Sequence, residues 1–183
     1  MSDVSWASDM AGDLLRTAFP RRWRHVRGVA DLAASSRLCD VSLQATLVAG
    51  AWLHDIGYAP ALVDTGFHPI DGARHLRRAG VDEAVVGLVA HHSCAAVEAG
   101  LRGLAGVLND EFPLDDRLPH DALCFCDMTT SPDGERVEVS ERLTEIKSRY
   151  GPGSVVYEFV ELAGNDLVGT VHRVQGSLTD QPR

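Results

Sequence analysis

The stretch DVSLQATLVAGAWLHDIGYAP, residues 40–60, decides the fold. Its first part is apolar on most helical sides, which predicts a central helix buried by its neighbours. Asp40 is a suitable N-terminal cap, and Gly57 and the proline after it end the helix. His54 and Asp55 are therefore expected in the last turn of the most buried helix. A carboxylate in such a place is costly unless it is paired or bound to a metal.

The segment before this helix carries a second helical pattern over about 22–36. His25 shares a helical face with Val29 and Leu32, so its imidazole is expected to point inward. Apolar residues recur in this segment at steps of three and four, namely Val26, Val29, Ala30 and Ala33. A histidine is thus predicted on a buried face, one helix before the His54–Asp55 doublet.

The segment after the central helix contains two further predicted helices. Pro69 suits the first position of a short helix, with His68 directly before it. Asp82 suits the cap of the next helix, which reaches His91 and His92. Three more histidines are therefore expected at the ends of helices.

The C-terminal half is also predicted to be helical. Pro119 opens a helix with Asp127 on the same face as His120, and Ser140 is the expected cap of a helix over 141–150. No stretch alternates as a β-strand does, so one all-α domain is predicted. The domain spans 1–176, its C-terminal helices lie at about 140–174, and 177–183 form a flexible tail.

Composition limits the kinds of partner. The chain has 183 residues, 45% hydrophobic and 23% charged, with a formal net charge of −9. An acidic chain is a poor match for nucleic acid or an anionic membrane, so neither is expected as a partner. No run reaches the roughly 18 apolar residues of a membrane span, and no secretory signal is visible. A cytoplasmic location is expected.

The polar residues on the predicted inward faces form a set of metal-ligand types. A single histidine is usually a hydrogen-bonded core residue, and a single aspartate is usually a cap. Several that converge from separate helices favour a divalent metal, and mixed imidazole and carboxylate donors suit Mn, Fe, Co, Ni, Zn or Mg. The set comprises His25, His54, Asp55, His68, His91, His92 and Asp127.

The order of these residues resembles the H…HD…D pattern of the HD-domain superfamily. His25, the doublet His54–Asp55 and Asp127 stand in that order, and the resemblance covers about 22–130, with weaker support up to Tyr150. The resemblance implies a helical bundle in which these four residues bind one metal ion. It also implies that the metal-site core lies within 22–130.

The middle of the chain resembles the branches of this superfamily that hold a second metal ion. The motif from His68 to Ala73 and the later pair His91–His92 are similar to those of HD-GYP cyclic-dinucleotide phosphodiesterases and of HD-type hydrolases of dinucleoside tetraphosphates. The resemblance implies His68 and His91 as ligands of a second ion, with Asp55 bridging. His92 is the alternative ligand, or a contact to substrate.

Two positions depart from the HD-GYP pattern. Tyr58 stands where those proteins carry lysine after the His-Asp-Ile-Gly run, and Ser93 stands where they carry glutamate. No Gly-Tyr-Pro sequence follows. These differences argue against a cyclic di-GMP phosphodiesterase, while they leave one or two metal ions open.

The leading hypothesis is a hydrolase of a small phosphate ester or nucleotide that uses a metal-activated water. Asp55 would orient the hydroxide, and His91 or His92 would protonate the leaving oxygen. Arg22 and Arg24, near His25, are candidates for a phosphate clamp, although a solvated helix face is an equally good interpretation of each. A mixed-valent di-iron oxygenase and a non-catalytic sensor of nucleotide or metal are the alternatives. The substrate and the oligomeric state stay open.

Overall fold

The computed structural model describes residues 4–179. In this part of the chain the only extended pairing is an isolated bridge between Thr130 and Arg136, so the predicted all-α architecture is confirmed. Short 3-10 turns lie at Val41–Leu43, Ile56–Tyr58 and His92–Cys94. The α-helices are α1 Ser5–Leu15, α2 Pro20–Ser35, α3 Gln44–Leu53, α4 His68–Arg78, α5 Glu83–Ala90, α6 Ala95–Leu101, α7 Ala105–Glu111, α8 His120–Met128, α9 Val139–Tyr150 and α10 Val155–Thr179.

Helix α3 is the central element, as its composition predicts. It packs against α1, α2, α5 and α8. Leu53 belongs to the apolar cluster on the side of α1, α4 and α5, while Leu47 belongs to the cluster on the side of α8 and α10. Gly50 permits the close approach of α5, because a Cβ there would lie 2.7 Å from the side chain of Leu88. The end of α3 is thereby held in the middle of the bundle.

Several predicted helix starts are confirmed. The Asp82 carboxylate caps α5 by accepting a hydrogen bond of 2.8 Å from the Ala84 amide. Pro69 lies in the first turn of α4. The predicted position of the doublet within the last turn of the helix was wrong, because α3 ends at Leu53. His54 and Asp55 lie just beyond it and lead into the turn Ile56–Tyr58. The doublet is therefore aimed by a turn rather than by regular helix.

Other predicted boundaries were wrong. The Asp40 side chain makes no capping hydrogen bond and precedes a 3-10 turn. Helix α9 starts one residue before Ser140, and Glu138 with Glu141 forms a capping box there. Helix α10 continues to Thr179, so residues 177–179 are helical, and 180–183 lie outside the described residues.

One described stretch, Glu83–Leu101, is apolar enough by length and composition to cross a membrane, with a mean hydropathy of 1.4. It is not one continuous helix, because Ser93 and Cys94 have φ values of 46° and 60° and separate α5 from α6. Half of its most apolar window is buried inside the fold. This stretch therefore contributes to the core, and buried helices commonly share such a composition with membrane spans.

Candidate metal centre

Three of the predicted ligands meet at one buried point, which we name the first donor group. His25 comes from α2, His54 from the end of α3 and Asp127 from α8, and their donor atoms lie within 4.8 Å of one another. His25 Nε2 is 3.0 Å from Asp127 Oδ1, and His54 Nε2 is 4.0 Å from the same oxygen. The spacing suits one cation held by two imidazoles and a carboxylate.

A second donor group lies beside the first and consists of Asp55, His68 and His92. His68 Nε2 is 3.4 Å from Asp55 Oδ1 and 3.1 Å from His92 Nε2. The two groups adjoin, because His54 Nε2 is 3.7 Å from Asp55 Oδ2. The carboxylate of Asp55 thus faces both groups, one oxygen towards each.

Three of the four imidazoles are oriented by the backbone. Their Nδ1 atoms hydrogen-bond carbonyl oxygens: His25 that of Ser131 at 3.0 Å, His54 that of Ala51 at 2.9 Å, and His92 that of Val89 at 2.7 Å. A neutral ring that donates through Nδ1–H carries its lone pair on Nε2. All three Nε2 atoms face the donor groups, which is the arrangement that metal-binding histidines use.

Unsatisfied ring nitrogens show that the residues of the two groups fit a divalent cation. His54 Nε2 is buried and has no hydrogen-bond partner among the described residues. An unsatisfied buried acceptor costs about 1–3 kcal/mol. The Nε2 atoms of His68 and His92 also face each other, and two lone pairs at that distance repel unless a proton or cation lies between them. A cation at each group would satisfy these atoms.

The protonation states match those of metal ligands. Burial, the largest effect, raises the pKa of Asp55, but the charges of Arg22 and the neighbouring imidazoles outweigh it and hold the pKa well below its usual range. Burial lowers the pKa of His68 and of His92. Near neutral pH the carboxylate is therefore ionised and these imidazoles are neutral, as binding of a divalent metal requires.

Asp127 is also kept ionised by its neighbours. It accepts a hydrogen bond from Ser93, a residue that the sequence analysis did not single out as functional. Burial, the largest effect, raises the pKa of Asp127, yet the hydrogen bond with His25 and the nearby imidazoles lower it below its usual range. The Ser93 hydroxyl donates a hydrogen bond of 2.6 Å to Asp127 Oδ2. Ser93 has positive φ, a backbone state that costs free energy in a non-glycine residue and is concentrated at functional sites.

The turn after α3 is packed tightly against the start of α4, and this contact positions His68. A Cβ at Gly57 would lie 2.0 Å from the carbonyl oxygen of His68, so only glycine fits there. The loop before His68 is tied by the buried Asp71 carboxylate, which accepts hydrogen bonds from the amides of Thr65 and Gly66 at 2.9 and 3.1 Å. His68 is thereby fixed beside Asp55.

His91, the predicted second-metal ligand and proton donor, lies in neither donor group. Its Nε2 bonds the carbonyl oxygen of Phe112 at 2.6 Å, and its ring contacts His120 at 6.2 Å between centroids. The reason is local: α5 ends at Ala90, and successive side chains in the turn that follows point in different directions. The alternative, His92, occupies the position beside His68 and Asp55.

The two arginines predicted for phosphate binding have different surroundings. Arg22 forms an ion pair with Asp55, and its guanidinium lies 3.5 Å from the ring centroid of Tyr58. Arg24 pairs with Asp133 at the surface, at 2.6 Å, and does not line the cleft over the donor groups. Only Arg22 is placed to reach a ligand of the metal centre.

The cleft is also lined by residues of α9 that the sequence analysis missed. Arg142, Arg149 and Tyr150 border it together with the donor groups. Residues 142 and 149 are seven apart, so they share a helical face. That spacing was visible in the sequence, but nothing in the sequence showed which face α9 turns towards the metal centre.

Comparison with known proteins gives one result. The HD domain family model matches residues 22–128, which are more than half of the chain and extend from just before His25 to just after Asp127. No curated protein and no solved structure matches. The match contains all six residues of the two donor groups, in the order that the sequence analysis described. The chain therefore belongs to the HD-domain family.

Proposed function

We propose that this protein is a metal-dependent phosphohydrolase that acts on a small phosphate ester or nucleotide. The HD domains are mostly metal-dependent hydrolases, which supports the reaction class. The observation that carries the proposal is the pair of adjoining donor groups in one cleft. The formal net charge of −9 favours a small substrate over nucleic acid, and we place the enzyme in the cytoplasm.

The residues have distinct roles in this proposal. His25, His54 and Asp127 would hold one ion, and His68 and His92 a second, with Asp55 facing both. When bound, such ions lower the pKa of water and neutralise phosphate oxygens. Asp55 would accept a hydrogen bond from the attacking water and orient it.

Arg22 supplies a positive charge at the site that does not depend on bound metal. Burial, the largest effect, lowers the pKa of Arg22, but the charge of Asp55 outweighs it and the net pKa is raised, so the guanidinium stays charged. Its contact with Asp55 places it at the edge of the donor groups, where it can hydrogen-bond a phosphate oxygen. Of the two predicted proton donors, His91 lies outside the cleft, and His92 lies inside it as a proposed ligand of the second ion, so we assign the proton-donor role to neither.

The direct test is turnover by the purified chain. The protein is loaded with Mn²⁺ or Co²⁺, its metal content per chain is measured, and phosphomonoesters, cyclic nucleotides and dinucleoside polyphosphates are assayed. We expect turnover that requires metal and is lost in His54→Ala. Metal binding without turnover on any of the compounds would contradict the proposal and favour the sensor hypothesis.

A mixed-valent di-iron oxygenase is the second candidate, because the same observation supports it. Four imidazoles and two carboxylates in adjoining groups also suit a pair of iron ions. Activity under anaerobic conditions with a metal that has no redox chemistry would exclude this candidate. Oxygen consumption that depends on iron and an organic substrate would favour it over hydrolysis.

A further inference from the structure

A recess of about 260 Å³ adjoins the cleft of the metal centre. It shares Arg22, His25, Arg142 and Arg149 with that cleft, and Arg21 also lines it. The rest of its wall is apolar, and within the part of the chain that the structure describes no carboxylate lines it. Four guanidinium groups line the recess, and they pair with only three carboxylates, those of Asp133, Asp55 and Glu145. The excess positive charge favours an anion there.

Arg142 supplies an independent sign of a ligand. The residue is only 8% exposed, and its Nε is buried without a hydrogen-bond partner in residues 4–179. Its Nη1 donates to Glu145 at 2.6 Å, so the guanidinium is anchored at one end. A buried charged donor left unpaired is costly, because the lost hydration is not replaced. Arg142 lines the recess, so an anion there would lie beside this charged group and compensate its charge.

Glu145 orients a second arginine on the same helix. Arg149 Nε is 3.5 Å from Glu145 Oε1, while Glu145 Oε2 accepts from Arg142. The carboxylate therefore holds two guanidinium groups one turn to either side of it. The planar guanidinium matches phosphate oxygens in a bidentate geometry, which an ammonium group does not do.

Arg142 and Arg149 line both the recess and the cleft of the metal centre, so a ligand can extend from one into the other. The donor groups would hold ions that contact the phosphate undergoing hydrolysis, whereas Arg142 and Arg149 come from α9, outside the matched residues 22–128. We infer that this recess binds a second phosphate group, so the substrate carries at least two neighbouring phosphates. The inference rests on the proposed function and specifies its substrate class.

The experiment compares two probes on the Mn²⁺-loaded protein by calorimetry: inorganic phosphate, and methylenediphosphonate as a non-hydrolysable pair of phosphate groups. A fixed excess of free Mn²⁺ is kept, so that chelation by each probe is the same for every variant. We expect Arg142→Gln and Arg149→Gln each to raise the Kd of methylenediphosphonate by about tenfold or more. The Kd of inorganic phosphate should rise by less than about threefold, because that probe binds at the ions.

Arg24→Gln is the matched control, since it removes the same charge from a surface arginine that lines neither the cleft nor the recess. It should leave both Kd values unchanged. Equal weakening of the two probes, no weakening, or the same loss in Arg24→Gln would overturn the inference. If Arg142→Gln does not fold, Arg149→Gln alone decides, because Arg149 is more exposed and is less coupled to the core.

Metal content is measured for every variant. A protein that binds methylenediphosphonate through these arginines yet hydrolyses nothing would contradict the proposed function and leave the anion site standing. If the protein hydrolyses phosphate esters but neither arginine variant changes the Kd of methylenediphosphonate, the anion site would be contradicted and the proposed function would stand. The two failures are therefore distinguishable.

Discussion

The two donor groups are built differently. The first takes two of its three members, His25 and Asp127, from within regular helices and joins them by a hydrogen bond of 3.0 Å, while His54 lies just beyond α3. The second takes all its members from turns or a helix start, with Asp55 after α3, His68 at the first residue of α4 and His92 in a 3-10 turn. Regular helices hold a side chain more firmly than turns do. We therefore expect the first group to hold its ion more tightly.

The charges around the two groups also favour tighter metal binding at the first. The Asp127 carboxylate in the first group contacts His25 and the Ser93 hydroxyl, whereas Asp55 in the second is paired with the Arg22 guanidinium. A metal ion at the second group must share Asp55 with a side chain that is already cationic. Repulsion between the two cations lowers affinity there. The second ion should thus be the more easily exchanged.

The largest effect is expected from Asp127→Ala. This change removes the carboxylate of the first group and leaves His25 and His54 without it, so the tight ion should be lost. We expect about a 100- to 1000-fold fall in kcat/KM, with metal content reduced by at least one ion per chain. Elemental analysis and steady-state kinetics measure both.

Asp121→Ala is the control for this prediction. Asp121 lies on the same helix but is exposed and pairs with Arg173 at 3.0 Å. Its removal should change neither metal content nor kinetics. Retention of full metal content by Asp127→Ala, with the protein folded, would show that the first donor group is not a metal site.

A smaller effect is expected at the second group, where neighbouring histidines form a matched pair. His92→Ala should lose the weaker ion and lower kcat/KM by about 10- to 100-fold, because a ligand of that group is gone. His91→Ala should keep both ions and full activity. It should instead lower the free energy of unfolding by about 1–3 kcal/mol, since the Phe112 carbonyl loses its partner.

Chemical unfolding and metal analysis of the two variants separate these outcomes. If His91→Ala lost metal while His92→Ala kept it, the second donor group would be assigned to the wrong histidine. The pair also controls for the general effect of removing an imidazole beside α5.

His91 and His92 also show what could be predicted from the sequence and what could not. The helical pattern predicted an all-α fold, and the order of ligand types predicted the meeting of His25, His54 and Asp127, because each lies on or at the end of a long apolar element. The choice between His91 and His92 depended on where α5 ends. A shift of one residue in a turn rotates a side chain away from the site, and no periodicity reports that rotation.

The residues of α9 show a second limit. Arg142 and Arg149 border the metal cleft because α9 packs on α10 and turns one face towards the donor groups. The sequence contains their seven-residue spacing but not the direction of that face. Only packing between distant segments determines it, and the surface charge of a helix is ordinarily exposed to solvent.

The smallest effect is expected in the stability of the metal-free protein at acid pH. The histidines of the second group and the carboxylates of both groups affect this stability in different pH ranges. The pKa values of His68 and His92 are lowered from 6.5 in the fold, so below about pH 6.5 the unfolded chain binds more protons and the fold loses stability. The pKa values of Asp55 and Asp127 are lowered from 3.8, so their contribution persists above that pH and is lost as pH falls through the folded values.

Urea unfolding between pH 8 and pH 3 should therefore show two stages, in which the imidazoles of the second group act first and the carboxylates of both groups act later. His68→Gln should make the decline between pH 7 and pH 5 shallower without abolishing it, because the pKa values of His75 and His120 are lowered as well. Asp127→Asn should weaken the later stage and make the earlier one steeper, because the Asp127 charge raises the pKa of His92. A decline between pH 7 and pH 5 that is equally steep in His68→Gln would mean that His68 is not held neutral by burial, and the electrostatic distinction between the two groups would fail.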